Sequence, residues 1–544
     1  MFYVLGGHKG ALGLIFVLCI VLACLNQSLP YLLKIVIDDI FKPGRFEYLW
    51  YVLGAVAVII VARNAVYYPT KSRMSILGEQ IAFEVRTSLF EHLHRLSVAF
   101  YRCHRPGTIS SRLMQDVTEI KNFIRSELIK LFMNALMLLV AVGIMLWLNW
   151  LLALISLAVL PFHWLIHRRF RGSIKKFSRQ AQDYLGDLSG DVVEQFSGVE
   201  AVKSAVAEPQ EQEKFQRSMR KGMSAQITRT RYYLLQKVAA DALIGVGMIL
   251  VIGFGGYAVK NGTMGVGEFV AFFTYTGALY PRVLALVKQA GKFSSTASSV
   301  DRIYEILHTE PDVTEPPHAQ KYEITAGRVE FQNVSFSYQD ERVLEDVSFK
   351  VEAGEHIMIT GPSGSGKTTL LNLIPRFYDV DTGTIRMDGR DIENYTLSSL
   401  RDQIGIVFQD CFLFNSSVME NIRYARPDAT DEEVVRACQR AGAHEFISGL
   451  SNSYYTRIGE EGIQLSAGEA QRLVIARTIL KEPVILILDE ALSSLDPESR
   501  EKIADGLFSM TENMTVFAVT HHTEIFPEFD KILRVEGGTV SLSP

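Results

Sequence analysis

The chain has 544 residues, which is enough for roughly two to four ordinary domains. Its formal net charge of −5 gives no reason to expect nucleic acid as a partner. The five cysteines show no C-x-x-C spacing, which argues against a zinc site or a disulfide framework.

Apolar residues make up 48% of the chain and are unevenly distributed. Residues before about 300 form long apolar segments, whereas residues 325–544 have the pattern of a soluble α/β domain. Six segments reach the roughly 20 residues that a membrane-spanning helix needs, at 11–37, 48–68, 128–148, 150–166, 234–258 and 269–290. A large soluble helical bundle is the alternative, but residues 52–61 (VLGAVAVIIV) are apolar on every side, which disfavours it.

Basic residues divide the intervening loops into two classes. Nine Lys and Arg residues lie between the second and third segments and thirteen lie between Arg168 and Arg231, whereas the other loops hold few. Positive residues concentrate on the cytoplasmic side of membrane proteins. The two basic loops and both termini are therefore expected in the cytoplasm.

The basic loops also show helical periodicity, since Ile81, Val85 and Leu89 recur at a spacing of four. We therefore expect the spans to continue into the cytoplasm as helical stalks. Proline and glycine predict turns at the stalk tips, within 101–108 and 197–211. The tips are expected to contact the soluble domain, with solvated loops as the alternative.

Charged residues within or near the ends of the spans are the remaining feature of this half. Lys34, Arg63, Asp241, Arg282 and Lys288 occupy such positions. Charges inside a membrane are costly and usually functional, which would indicate a polar cavity for a partly charged substrate. The alternative is that these side chains snorkel to the interface or pair with one another.

The soluble half contains a phosphate-binding loop at residues 361–369 (GPSGSGKTT). This stretch fits G-x-x-x-x-G-K-[ST], follows an apolar strand at 357–359 and precedes a helical pattern. Glycines let backbone N–H groups turn towards phosphate oxygens, and the helix dipole adds positive potential. A Gly-rich turn with a chance lysine is the alternative. The expected nucleotide contacts are Gly361, Pro362, Ser363, Gly364, Ser365, Gly366, Lys367, Thr368 and Thr369.

Two adjacent acids follow a second buried strand. Residues 484–488 (VILIL) form a short apolar run typical of a parallel strand, and Asp489 and Glu490 come directly after it. Ligands bind at this end of the strands in an α/β sheet. We expect Asp489 and the Thr368 hydroxyl to hold Mg²⁺ and Glu490 to deprotonate the attacking water, which indicates hydrolysis of a nucleoside triphosphate.

Residues 465–472 (LSAGEAQR), just ahead of that strand, are similar to the LSGGQ signature. Together with the phosphate loop and the paired acids, they make the chain resemble the ATP-binding cassette exporters over essentially its whole length. The resemblance implies an all-α six-span transmembrane helical domain followed by an α/β P-loop NTPase domain with a helical subdomain. It also implies ATP and Mg²⁺ as cofactors.

The resemblance assigns roles to five further positions. Tyr338 corresponds to the aromatic residue that stacks on adenine, and Gln409 corresponds to the glutamine that senses Mg²⁺. His521 matches the switch histidine at the γ-phosphate and joins Glu490 as an expected catalytic residue. Ser466 and Gly468 match signature positions that approach ATP held by the opposite subunit. The expected metal-binding residues are then Thr368, Gln409 and Asp489.

Two other segments match the family, and the signature departs from it twice. Residues 493–496 (SSLD) match a loop that contacts the partner subunit, and residues 459–462 (GEEG) match a segment that contacts the cytoplasmic tips. Ala467 replaces the first glycine of the signature, and Glu469 replaces its glutamine. Glu469 places a carboxylate near the nucleotide polyanion, a position in which it would act against closure of the dimer, but turnover near that of the usual signature is expected.

The expected organisation is a transmembrane domain at 1–310, a linker at 311–326 and a nucleotide-binding domain at 327–544. The expected function is ATP-driven export or flipping of an amphipathic lipid, drug or peptide across a bacterial inner membrane. The chain would act as a homodimer or with a second half-transporter, and no nucleic acid is expected. An ATP-gated channel or a regulatory subunit on the same scaffold is the alternative.

Overall fold

The computed structural model describes residues 9–339, 341–459, 462–491, 514–520 and 529–543. The chain forms two compact units: residues up to Phe90 with Ser110–Leu307, and Glu91–Ile109 with the residues from His308 onward. The boundary lies between Leu307 and His308, so the predicted linker at 311–326 groups with the predicted nucleotide-binding domain at 327–544. The segment Glu91–Ile109, which lies between two predicted spans, groups with the second unit.

Residues 9–307 are almost entirely helical. Within that range, three π-helical segments, Val36–Phe41, Arg112–Asp116 and Phe123–Leu128, interrupt or extend the helices. The α-helices are α1 (Lys9–Ile35), α2 (Leu49–Arg95), α3 (Val98–Cys103), α4 (Pro106–Ser111), α5 (Val117–Asn122), α6 (Ile129–Leu148), α7 (Trp150–Ser197), α8 (Val199–Ser204), α9 (Glu208–Lys260) and α10 (Val266–Leu307).

Within the part of the chain that the structure describes, six helical stretches are long and apolar enough to cross a membrane, and they contain the six predicted segments. The stretches are Lys9–Phe41, Phe46–Arg95, Pro106–Leu148, Trp150–Ser197, Glu208–Lys260 and Val266–Leu307. Helix α7 has 48 residues. At 1.5 Å per residue it is about 72 Å long, more than twice the roughly 30 Å of a bilayer's hydrocarbon core. The helix therefore continues well beyond the predicted span, and the cytoplasmic position of such helical stalks stays a prediction.

The core of the first unit contains two buried tyrosines of α10 that also link helices by hydrogen bonds. The Tyr275 hydroxyl donates to the carbonyl oxygen of Gln27 on α1 at 2.5 Å. The Tyr280 hydroxyl donates to the carbonyl oxygen of Ser156 on α7 at 3.2 Å. Because both rings are at most 2% exposed, each tyrosine contributes apolar packing and satisfies its one polar group. The last spanning helix is thereby joined to the first and the fourth.

The described residues of the second unit form three sheets and a set of short helices. Its strands are β1 (Val329–Tyr338), β2 (Glu341–Val351), β3 (His356–Thr360), β4 (Thr382–Met387), β5 (Arg390–Asp391), β6 (Ile404–Val407), β7 (Ser416–Ser417), β8 (Arg457–Ile458), β9 (Ile485–Asp489), β10 (Thr515–Val519), β11 (Lys531–Glu536) and β12 (Thr539–Ser543). The helices of its described residues after 308 are α11 (Lys367–Leu373), α12 (Leu397–Asp402), α13 (Val418–Arg423), α14 (Asp431–Arg440), α15 (His444–Gly449) and α16 (Ala467–Leu480).

The central sheet has six strands in the order β12-β11-β3-β10-β9-β6. All of its pairings are parallel except the pairing of β11 with β12. Strand β10 lies between β3 and β9, and Val519 at its end pairs with both Ile359 and Asp489. The phosphate loop after β3 and the two acids at the end of β9 therefore lie at the same edge of the sheet.

The strands predicted from apolar runs at 357–359, 484–488 and 516–519 are confirmed as β3, β9 and β10 of the central sheet. Strands β3, β9 and β10 are buried along nearly their full length, as expected for parallel strands with both faces covered. A second sheet of order β2-β1-β4-β5 is antiparallel. Its strand β1 alternates between buried and less buried residues over its first half and ends at Tyr338, as predicted.

The predicted contact of the first stalk tip with the soluble domain is confirmed within the second unit, where a guanidinium nitrogen of Arg102 donates to the Tyr338 hydroxyl oxygen at 3.3 Å. Residues beside the tip also contact the segment that precedes the soluble domain. The Ser97 hydroxyl donates to a carboxylate oxygen of Asp312 at 2.5 Å. A ring nitrogen of His92 lies 3.0 Å from the carbonyl oxygen of Thr309. The break between α3 and α4 falls inside the predicted turn at 101–108. The second tip, at 197–211, belongs to the first unit and contains α8, and its contact with the soluble domain stays a prediction.

Candidate nucleotide-binding site

The phosphate loop takes a backbone conformation that requires glycine. Gly361 has a φ of 149°, and a Cβ atom built there would lie 2.2 Å from the carbonyl oxygen of Val535. Gly366 has a φ of 106° and directly precedes α11. Side chains rarely adopt such φ values, and the space at Gly361 admits none. The loop is thus shaped by positions that only glycine fills without strain.

Two polar groups of the loop fit a bound phosphate. The Lys367 ammonium donates to the carbonyl oxygens of Gly361 and Pro362, each at 2.9 Å, which leaves one of its three protons for another acceptor. The Ser365 hydroxyl oxygen is buried and has no hydrogen-bond partner among the residues that the structure describes. Because an unsatisfied buried hydroxyl is costly, an acceptor such as a phosphate oxygen would stabilise this conformation.

Asp489 and Thr368, both predicted metal-binding residues, are brought into contact. The Thr368 hydroxyl lies close enough to the Asp489 carboxylate to lower its pKa by hydrogen bonding. Burial raises the pKa of the Asp489 carboxyl above its ordinary value, and the adjacent Glu490 adds to the effect. Lys367 lowers that pKa but does not cancel the rise. A nearby cation favours the ionised form of a carboxyl group. A metal ion bound beside Asp489 would therefore offset the effect of burial on this side chain.

Glu490 and Gln409, predicted as base and Mg²⁺ sensor, also lie together. The Gln409 amide donates to a carboxylate oxygen of Glu490 at 3.1 Å. Glu490 has a φ of 49°, an unusual value for a residue with a side chain, and its N–H donates to the carbonyl oxygen of Val519 at 3.0 Å. The backbone turn directly after β9 therefore determines where this carboxylate points.

Tyr338 lies beside the same loop and within an aromatic cluster. The Thr369 hydroxyl donates to the Tyr338 hydroxyl oxygen at 3.3 Å. The Tyr338 ring packs nearly perpendicular to the rings of Phe336 and Tyr378, at centroid distances of 4.9 and 5.2 Å. The ring is only partly buried, so an aromatic surface adjoins the phosphate loop. A nucleotide base needs such a surface.

The signature residues form the N-terminus of α16, where Ser466 and Glu469 make a capping box. A Glu469 carboxylate oxygen accepts from the N–H of Ser466 at 2.8 Å and from its hydroxyl at 2.7 Å. The Glu469 N–H in turn donates to the Ser466 hydroxyl oxygen at 3.3 Å. The glutamate that departs from the LSGGQ signature therefore caps the helix and holds the Ser466 hydroxyl.

The predicted site residues thus fall into a group around the phosphate loop, the two signature residues Ser466 and Gly468, and residues that the structure does not describe. The loop residues 361–369 gather with Tyr338, Gln409, Asp489 and Glu490. No hydrogen bond or ion pair joins Ser466 or Gly468 to this group among residues 9–339, 341–459, 462–491, 514–520 and 529–543. His521, the segment 493–496 and residues 460–461 lie outside the described residues. The described residues also contain no cluster of three or more His, Cys, Asp or Glu side chains arranged to hold a metal ion.

Comparisons with known proteins agree with this arrangement. Residues 12–282 match the family described as the ABC transporter transmembrane region, and residues 344–493 match the family described as ABC transporter. The chain is 36% identical to YgaD of Bacillus subtilis (strain 168), over 94% of this chain and 90% of that protein. A protein of Staphylococcus aureus (strain NCTC 8325) is 34% identical over the same shares. Both relatives are named as candidate multidrug export ATP-binding/permease proteins.

A solved structure extends the similarity to the fold. A bacterial exporter of the Atm1 family with ATP bound matches with a TM-score of 0.82 and 25% identity, covering 98% of this chain and 94% of that one. The chain belongs to the ABC transporters, as a half-transporter that carries the membrane region and the ATPase on one polypeptide. It is a multi-pass membrane protein that couples ATP hydrolysis to transport.

The charges predicted inside the spans have unequal surroundings. The Lys34 ammonium pairs with Glu268 at 2.9 Å and lies 5.6 Å from the ring centroids of both Tyr31 and Trp147. Lys34 is therefore satisfied by its own unit, in line with the alternative that these charges pair. By contrast, the Nη1 atom of Arg282 is buried and has no hydrogen-bond partner among the described residues.

Two cavities lie within the membrane unit. One has a volume of about 600 Å³ and is lined by apolar side chains of four helices, including Phe16, Met74, Phe132 and Phe293, with Asp301 as its one charged residue. The other, of about 750 Å³, is polar and is lined by Asp116, Glu119, Lys292, Arg302 and neighbouring residues. Neither is lined by Lys34, Arg63, Asp241 or Arg282.

Sequence reasoning missed the residues that line the polar cavity. The Asp116 carboxylate accepts from the Ser299 hydroxyl at 2.9 Å and from two nitrogens of the Arg302 guanidinium. Asp116 ends one of the π-helical segments, a feature that often marks functional positions. An aspartate in a stalk has no distinguishing sequence signal, because only the fold shows that it faces α10.

Proposed function

We propose that the chain exports or flips an amphipathic substrate, driven by ATP, as a homodimer in a bacterial inner membrane. The observation that carries the proposal is the convergence of the phosphate loop, Asp489 and Glu490 at one sheet edge, on a chain that also carries six spans. The large, almost wholly apolar cavity supports a substrate with an apolar body, and its volume lies within the usual range of ligand sites.

In this proposal the loop N–H groups and Lys367 bind the phosphates, and Tyr338 orients the base. Thr368, Asp489 and Gln409 offer the oxygen ligands that Mg²⁺ prefers, and few protein ligands suffice where substrate phosphates complete the coordination. The ion would neutralise charge that develops on the phosphoryl oxygens. Glu490 accepts a proton from the attacking water, and its fixed backbone and the Gln409 contact keep it in position.

The test is transport by the reconstituted protein. Liposomes with the ATPase domain outward should accumulate fluorescent lipid analogues or amphipathic drugs only when ATP is added, and active compounds should stimulate ATPase activity. Liposomes carrying Glu490→Gln are the matched control and should accumulate none. A steady conductance through the protein in a bilayer, without ATP-dependent accumulation of any compound, would favour the channel alternative.

Tyr338 provides a test of base recognition that is separate from phosphate binding. We expect Tyr338→Ala to weaken ATP binding by about 1–3 kcal/mol, the usual contribution of an aromatic ring stacked on a base. Binding of inorganic tripolyphosphate should change little, because that ligand has no base. Isothermal titration of both ligands measures the difference, and an equal loss for both would indicate general destabilisation instead.

Glu469 provides a test of the signature. Its carboxylate holds the Ser466 hydroxyl and adds negative charge where a γ-phosphate of the partner's ATP is proposed to bind. Glutamine can make the same cap without the charge. We expect Glu469→Gln to raise ATPase turnover about 2- to 5-fold, on the scale of one exposed charge interaction.

Alanine at the same position separates the charge from the cap. Glu469→Ala removes both, and loss of a helix cap costs about 0.5–2 kcal/mol of stability. Its turnover at saturating ATP should therefore stay below that of the glutamine variant. If Glu469→Gln turns over no faster than the unmodified protein, the charge does not restrain closure.

A further inference from the structure

Arg102, at the tip between the second and third spans, lies against the tyrosine assigned to base recognition. Its guanidinium carbon is 5.6 Å from the ring centroid of Tyr338 and 5.7 Å from that of Tyr378. Those two rings are nearly perpendicular, at 86°, and 5.2 Å apart. A guanidinium nitrogen also donates to the Tyr338 hydroxyl oxygen at 3.3 Å. The cation thus occupies the corner formed by the two rings.

The other neighbours of the Tyr338 ring are held in place. Phe336 belongs to strand β1 and is 4% exposed, and Tyr378 is 7% exposed within the same core. The hydroxyl of Tyr338 contacts Thr369, which belongs to α11 and is also buried. Arg102 is exposed, and its guanidinium contacts these two tyrosines. It is therefore the neighbour that can leave the ring at least cost.

We propose that Arg102 covers the face of Tyr338 on which adenine stacks, so that ATP binds by displacing this arginine. The inference rests on the proposed role of Tyr338 in base recognition. A cation–π contact at an exposed site changes an equilibrium constant by about 2- to 5-fold, whereas base stacking changes it by about 5- to 150-fold. Stacking of adenine on Tyr338 is therefore favoured over the cation–π contact. Competition from Arg102 lowers the apparent affinity for ATP only by the factor of the cation–π contact, about 2- to 5-fold.

Arg102 is linked through the chain to the membrane-spanning helices. Arg102 follows α2, which contains the second span, by seven residues, and α4 begins four residues later. The hydrogen bond between Ser97 and Asp312 is separate from the Tyr338 contact and does not depend on it. Binding of adenine thus changes one contact of a tip that is anchored elsewhere. Arg102 is a residue through which this tip responds to the presence of the base.

The experiment measures nucleotide binding to the full-length protein in nanodiscs without Mg²⁺, so that hydrolysis does not intervene. We expect Arg102→Ala to tighten ATP binding about 2- to 5-fold and to leave inorganic tripolyphosphate binding unchanged. Arg102→Lys keeps the charge but loses the planar group, so its effect should be smaller. Arg105→Ala removes an exposed arginine from the same tip and should not tighten ATP binding, because among the described residues no hydrogen bond or cation–π contact joins it to Tyr338.

A double-mutant cycle with Tyr338→Ala completes the test. If the arginine acts through the ring, Arg102→Ala should have no effect on ATP binding in the Tyr338→Ala background. Unchanged or weaker ATP binding by Arg102→Ala, in a protein where Tyr338→Ala selectively weakens ATP, would overturn the inference and leave the proposed function intact. A Tyr338→Ala protein that binds ATP normally would instead remove the stacking role, and the inference with it.

Discussion

Replacing Glu490 by glutamine should leave ATP binding intact and lower hydrolysis by about 10²-fold or more, the usual scale for the loss of a general base. Glutamine has nearly the same shape and can still accept the hydrogen bond from Gln409, so the backbone turn after β9 should survive. What it loses is the ability to take a proton from water. Steady-state release of phosphate measures the rate, and binding of a fluorescent ATP analogue shows that the site remains.

Glu482→Gln is the matched control for this change. Glu482 lies between α16 and β9 and, like Glu490, has a positive φ, here 54°. Its exposed carboxylate pairs with Arg426 at 3.4 Å. Because Glu482 lies at the opposite end of β9, its carboxylate cannot accept a proton from the attacking water. The ATPase rate of the Glu482→Gln protein should therefore equal that of the unmodified protein. A Glu490→Gln protein with turnover within a few-fold of normal would remove Glu490 from the catalytic role.

The parts of the nucleotide site that lie close in sequence could be predicted from it. The phosphate loop, the strand before it and the acids after β9 are local patterns, and the parallel sheet brings them together by a general rule of strand ends. The capping box of Ser466 and Glu469 was also readable, since S-x-x-E at a helix start is its usual pattern. Glu469 is therefore more than a negative charge in the signature, since its carboxylate also accepts hydrogen bonds from the serine.

Contacts between distant segments could not be predicted in the same way. Arg102 and Tyr338 are 236 residues apart, and no periodicity links one arginine among many in a basic loop to one aromatic residue. The pairing of Lys34 with Glu268 is similar, because hydropathy places both near span ends but does not show which helices are neighbours. Such pairs depend on how elements that are distant in the chain pack against one another, and hydropathy and periodicity do not show which elements become neighbours.

The second large effect concerns which chain completes the ATP site. Lys367→Ala alone and Ser466→Ala alone should each give a protein with little or no ATPase activity. In a dimer that joins one chain of each kind, the intact phosphate loop of the Ser466→Ala chain would face the intact signature of the Lys367→Ala chain. A two-fold symmetric pair makes this contact in both directions, so one complete site returns.

The size of the recovery follows from counting. Random mixing of the two variants places about half of the dimers in the mixed form, and each mixed dimer has one of two sites, so activity should reach about a quarter of normal. Mixed dimers isolated through two different affinity tags should reach about half. If Ser466 instead served the loop of its own chain, every chain in the mixture would lack one part, and purified mixed dimers would be as inactive as the parents. The mixed dimer therefore distinguishes a shared site from a self-contained one, and a monomer with full ATPase activity would contradict the shared site directly.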